Sequence, residues 1–142
     1  MSEKVLLVDD ETDFLEVMAE RMKAREIRVK TAPSAREALS LIEHESFDAV
    51  ILDLQMPEMN GIEALKVMKS KNPDIQVIVL TGHATVQKGI EAMKLGASDV
   101  LEKPADVKVL ADKIRKAHVE KMVLVEKKTE EKIRNILRQK GW

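Results

Sequence analysis

The apolar run Val5-Leu6-Leu7-Val8 stops against three consecutive carboxylates, Asp9-Asp10-Glu11. Packed side by side, such groups raise one another's pKa unless a cation compensates them. The same juxtaposition of an apolar run and a reactive side chain recurs three times. Asp53 follows Ala49–Leu52, Thr81 follows Gln76–Leu80, and Lys103-Pro104 follows Asp99–Leu101. If these positions converge, the chemistry is specific. Oxygen-only ligands from a few carboxylates, with coordination positions left open, suit a magnesium ion that keeps waters and meets a phosphoryl group. A metal-neutralised aspartate can attack phosphorus to form an acyl phosphate, and a nearby lysine stabilises charge on the transferred oxygens.

The elements between these positions decide whether they meet. Lys4–Val8, Arg28–Ala32, Ala49–Leu52, Gln76–Leu80 and Asp99–Leu101 read as strands. Several are nearly continuous Val/Ile/Leu, as expected of a parallel sheet covered on both faces. Helical periods fill the gaps. Asp13–Arg25 sets Phe14, Met18 and Met22 on one face; Ser34 to Glu37 has capping-box spacing and opens a helix to Glu45. After Asn60-Gly61 a third helix runs to Asn72 and stops at Pro73. A fourth spans Thr85–Leu95 with Gly96 as its C-terminal cap, and a fifth begins near Asp106. The order βαβαβαβαβα implies right-handed crossovers and a three-layer α/β domain ending near His118. In such a sheet all strands end on one edge, and ligands bind there at the switch point. With strand order 2-1-3-4-5, Asp9, Asp10 and Asp53 are neighbours, with Thr81 and Lys103 beyond them.

Composition narrows the alternatives. The 142 residues suit one domain, 44% are hydrophobic and 35% charged, and no repeat or low-complexity tract is present. No cysteine occurs, which removes disulfides, thiolate metal sites and thiol catalysis and fits a cytoplasmic setting. No segment has the length of a signal peptide's apolar region or a membrane span. Charge is uneven: Met1–Pro104 holds 13 Lys+Arg against 19 Asp+Glu, whereas Ala105–Trp142 holds 11 against 6.

The set VLLVDDE, DAVILDLQMPEMNG, VIVLTGHAT and DVLEKPAD resembles the receiver domain of bacterial two-component response regulators over Lys4–His118, particularly the nitrogen-regulator type that precedes ATPase modules. The resemblance implies a doubly wound (βα)5 flavodoxin-like sandwich. It implies that Asp53 is the phosphoacceptor, Asp10 a direct Mg2+ ligand, Asp9 a helper through bound water and Gln55 a donor of its backbone carbonyl. Thr81 would hydrogen-bond the phosphoryl group as the switch, and Lys103 would pair with it, its backbone shaped by a cis bond to Pro104. A sensor histidine kinase or phosphotransfer protein would supply the phosphoryl group, and an output partner would read the altered surface. Gln55 and His83 are candidate modulators, although a lone histidine past a strand is ordinarily a solvated loop residue. Val100 departs from the pattern, since receivers often carry an aromatic ring there, so the resemblance does not extend to the aromatic half of the family's usual switch.

Three rival readings have specific weaknesses. An aspartate-nucleophile phosphohydrolase would need a substrate cap for which the chain has no room. An interaction-only receiver would have lost the acceptor or the lysine. Direct DNA binding would need a second domain, so the chain reads as a stand-alone receiver or a fragment of a larger regulator. Taken singly, Asp9 or Asp53 is an ordinary turn residue, Thr81 a strand end and Lys103 an exposed loop lysine; the weight lies in their joint placement. Residues 119–142 form a helical extension or linker. Met122–Val125 and Ile133, Ile136 and Leu137 are more apolar than a solvated end requires, which favours a homodimer through this helix. Lys121 and Lys128 interrupt the near-heptad running from Val107 through Leu110, Ile114 and Ala117 to Leu124.

Overall fold

The computed structural model describes residues 3–56, 61–82 and 86–141. Strands and helices alternate throughout: β1 (Lys4–Val8), α1 (Thr12–Lys23), β2 (Arg28–Ala32), α2 (Ala35–His44), β3 (Ala49–Asp53), α3 (Gly61–Lys71), β4 (Val77–Thr81), α4 (Val86–Lys94), β5 (Asp99–Glu102) and α5 (Val107–Gln139). The sheet is parallel in the order β2-β1-β3-β4-β5. The order reverses between β1 and β3, so their C-terminal ends border the switch point.

Alternation along the strands divides the core. Leu6, Val8, Val50, Leu52, Val77 and Val79 pack beneath α2, α3 and α4. Val5, Leu7, Ala49, Ile51, Ile78 and Leu80 pack beneath α1 and α5. Every residue of β3 and β4 is buried, which explains why both are apolar up to their last residues, Asp53 and Thr81. Each fully buried Val, Leu or Ile contributes about 1.5–3 kcal/mol relative to exposure.

The expected helix ends are largely present. Ser34 accepts the Glu37 N–H at 3.2 Å. Past α4, Gly96 adopts φ 101, with Gly96 N–H bonded to Met93 O and Ala97 N–H to Ala92 O, the double bond pattern of a Schellman cap. Helix α1 ends at Lys23 rather than Arg25, because the chain turns back at Glu26 (φ 65) and Ile27 N–H reaches Met22 O. Strands β3, β4 and β5 each run one residue further than expected. Asp53 stays in register with Leu80, and Thr81 with Glu102. Thr85, the expected start of the fourth helix, lies outside the described residues, as do Asn60 and His83.

Helix α5 passes position 118 without a break. Its 33 residues reach about 50 Å at the usual rise. Leu110, Ala111, Ile114 and Ala117 are buried against the sheet. Beyond them the contacts become polar. His118 Nδ1 lies 2.6 Å from Asp48 Oδ1, Lys121 Nζ donates to Ser46 Oγ at 2.9 Å and to Phe47 O at 3.2 Å, and Lys128 pairs with Asp74. These partners precede β3 and β4, at the sheet edge opposite the carboxylate-bearing strand ends. The two lysines that interrupt the apolar near-heptad thus face the domain.

Candidate functional site

Three strand ends bring Asp9, Asp53 and Lys103 together, with Asp10 following Asp9. Asp9 and Asp53 are buried, while Asp10 is exposed. Oxygens of all three carboxylates lie within 4.8 Å of one another. The local backbone fixes two of them. Asp9 Oδ1 accepts Glu11 N–H at 2.9 Å, and Asp53 Oδ1 accepts Gln55 N–H at 3.2 Å. Each bond occupies one oxygen and leaves the other for the shared space.

Lys103 reaches that space from the end of β5. Its Nζ lies 2.7 Å from Asp9 Oδ2, 3.6 Å from Asp53 Oδ2 and 3.7 Å from Glu11 Oε1. The Lys103 N–H donates to Thr81 O at 2.7 Å, tying the last strand to the fourth, and the Lys103–Pro104 peptide is cis. Asp10, Asp53, Gln55, Met56, Gly82 and Lys103 border an open depression. Gln55 is exposed at its rim.

The electrostatics follow from this crowding. Burial, joined by the charges of Asp9 and Asp10, outweighs the Gln55 N–H and the Lys103 ammonium and pushes the Asp53 carboxyl up to about 6. Burial by itself would lower Lys103, but the hydrogen bond to Asp9 and the charges of Asp53, Asp9 and Glu11 outweigh it, so its pKa is raised. One ammonium therefore faces several carboxylates. Hard oxygen donors, an excess of negative charge and an open side fit a small divalent cation such as Mg2+, which retains part of its water shell.

Thr81 is buried at the end of β4. Its methyl group and the Val100 side chain enclose Gly89 of α4: a Cβ added at Gly89 would lie 3.0 Å from Val100 Cγ1 and 3.1 Å from Thr81 Cγ2. Helix α4 thus lies directly on the threonine and on the position where an aromatic ring was missing. A comparable close approach exists behind Asp53. Gly61 N–H donates to Leu54 O at 2.8 Å, and a Cβ there would overlap Leu54 Cα and Asp53 O at 2.2 and 2.6 Å.

One neighbour of the site escaped sequence reasoning. The Phe14 ring lies under Lys103, with Nζ 4.6 Å from its centroid. Helical spacing assigned Phe14 to the core with Met18 and Met22. Those two are buried, whereas Phe14 is half-buried at the rim.

Residues 5–115 match the family model described as the response regulator receiver domain. The transcriptional regulatory protein ZraR of Escherichia coli K12 is 36% identical over 113 residues, 80% of this chain and 26% of that protein. A putative NtrX-like response regulator of Rickettsia bellii is 39% identical over 102 residues, 70% of this chain and 21% of that protein. The chain therefore spans about a quarter or less of these two relatives. A receiver domain structure from Clostridium thermocellum superposes with a TM-score of 0.83 at 35% identity, covering 86% of this chain and 98% of that one.

Proposed function

Because this chain belongs to the response regulator receiver family, we propose that it takes a phosphoryl group from a phosphohistidine onto Asp53 and thereby changes the surface offered to an output partner. The observation that carries this reading is the meeting of Lys103 Nζ with Asp53 Oδ2 at 3.6 Å inside a cluster of three aspartates.

Asp53 Oδ2, the oxygen not engaged by Gln55 N–H, attacks phosphorus in line. The new bond is an acyl phosphate; the P–N bond breaks, and its electron pair leaves with an imidazole that is neutral when its other nitrogen carries a proton. Lys103 exchanges its contact with Asp9 for the phosphoryl oxygens and offsets their charge. Asp9, Asp10, Asp53 and the Gln55 carbonyl would hold Mg2+, with Asp9 acting through a water. The bound ion supplies positive charge to the transferring oxygens. Thr81 then donates its hydroxyl to the phosphoryl group, and α4, which rests on its methyl group, shifts with it. The result is a population shift between two arrangements of that face. His83, two residues after Thr81 in sequence, would act as a modulator of access.

With Mg2+ and a small phosphodonor such as phosphoramidate, wild type should gain one base-labile phosphate, mapped to Asp53 by mass spectrometry, and Asp53→Asn should gain none. Labelling that persists on Asp53→Asn would overturn the assignment.

The extension carries a second role. Val119, Met122, Glu126, Thr129, Ile133, Ile136 and Lys140 recur at alternating three- and four-residue steps. The four apolar members are 51–59% exposed. With Lys121 and Lys128 turned to the domain, this stripe is presented to solvent. Its heptad register suits a second copy of the same helix, with Glu126 and Thr129 costing stability while restricting alignment. No helix among the described residues is long and apolar enough to cross a membrane. Direct nucleic-acid binding is not expected of this chain.

A further inference from the structure

We propose that Phe14 is a positioning residue for Lys103: its ring face confines the ammonium to the arc between Asp9 and the phosphoryl oxygens on Asp53. The proposal rests on the phosphoacceptor reading above and adds to it a residue on a different element.

A lysine side chain is long and flexible, and its charge alone does not select a partner. Here Nζ has three carboxylates within 3.7 Å, and one of them, Glu11, is exposed. Pairing with Glu11 would draw the ammonium outward, away from the acceptor. Phe14 opposes this. It stands in the first turn of α1, four residues after Asp10, and brings its ring to 4.6 Å from Nζ on the side facing α1. The negative face of an aromatic ring attracts an ammonium and yields no proton or hydrogen bond to compete with the carboxylates. Lys103 can therefore move from Asp9 toward a phosphoryl group without leaving the ring. An aliphatic side chain of similar size would fill the same volume but supply no attraction. That difference explains why a large aromatic is left half-buried at the rim while Leu15 and Met18 occupy the core.

The test separates attraction from volume. Phenylalanines carrying one, two and three ring fluorines are inserted at position 14 alone, because Phe47 also sits under a lysine, Lys4, at 5.1 Å. Fluorination withdraws the ring's negative face with little change in shape. The initial rate of Asp53 phosphorylation by phosphoramidate should fall stepwise along the series. Phe14→Leu should lower it by about 3- to 10-fold, and Phe14→Trp should retain it within about twofold. Magnesium affinity, titrated by NMR, should be unchanged in all of them. Independently, the metal-free protein should show upfield ring-current shifts of the Lys103 Cε protons that vanish in Phe14→Leu. Equal rates across the fluorinated series, whatever Phe14→Leu does, would overturn the proposal. If wild type takes no phosphate on Asp53, the phosphoacceptor reading falls, and the ring-current shift still decides whether Phe14 holds Lys103.

Discussion

At the scale of single residues, the site works against the fold. In the metal-free protein the Asp53 carboxyl is raised to about 6, above the ordinary unfolded value of about 3.9. The folded state therefore binds a proton more readily than the unfolded one. Stability at this group should rise as pH falls through 6 toward 4, and its ionisation penalty should be fully present above about pH 7. Asp53→Asn removes the penalty, so at pH 7 in chelator it should raise unfolding stability by about 1–3 kcal/mol, with little gain at pH 4. Urea unfolding at the two pH values measures this. Asp9, Asp53, Thr81 and Lys103 were legible because each terminates an apolar strand, and a parallel sheet aligns such ends whatever lies between. Phe14 was not legible. A helical period reports which face a residue occupies, and cannot distinguish the centre of that face from its rim, where a partner from a distant strand end covers the ring.

At the scale of elements, α4 lies tightly on the sheet at Gly89. Gly89 leaves room for only the Thr81 methyl and the Val100 side chain. In Gly89→Ala the added methyl gains up to about 1 kcal/mol of helix propensity, and must force those side chains or α4 aside by a few tenths of an ångström. The expected outcome is a stability change within about 1 kcal/mol, with amide shifts concentrated at Thr81, Val100 and α4. Adding Val100→Ala should reverse most of them by vacating the space. Thr81→Ala should leave Asp53 phosphorylation largely intact while suppressing the shifts that phosphorylation causes in α4. Large changes confined to Val100 would contradict a signal routed through the threonine. Strand and helix order were readable because β3 and β4 are apolar up to their last residues and Ser34 and Gly96 mark helix ends. The early stop of α1 was not. It depends on Glu26 entering the left-handed region, a conformation its residue type does not announce.

At the scale of the whole molecule, the extension of α5 is organised by its two sides. The side bearing Lys121 and Lys128 is engaged by the loops before β3 and β4, and the apolar members of the stripe from Val119 to Ile136 are left exposed. Ile133→Lys with Ile136→Lys should shift sedimentation from dimer to monomer while leaving Asp53 phosphorylation unchanged; a wild-type protein that stays monomeric at high concentration, phosphorylated or not, would remove the dimer. In the sequence alone, the two lysines looked like defects in a coiled coil, because their partners Ser46, Phe47 and Asp74 are more than fifty residues away in the chain. Their placement also has a mechanical consequence. A rod fastened at two points about 10 Å apart cannot swivel freely on its mount, and any tilt of the mount is conveyed to the tip. Gln139 lies about 27 Å beyond Lys121, so a tilt of about 5° displaces it by about 2 Å. Both fastenings are ion pairs or polar contacts near the surface, each worth about 0–1 kcal/mol and screened by salt. Raising ionic strength should therefore loosen this arm beyond its apolar seat at Leu110–Ala117 and reduce the fidelity of the displacement.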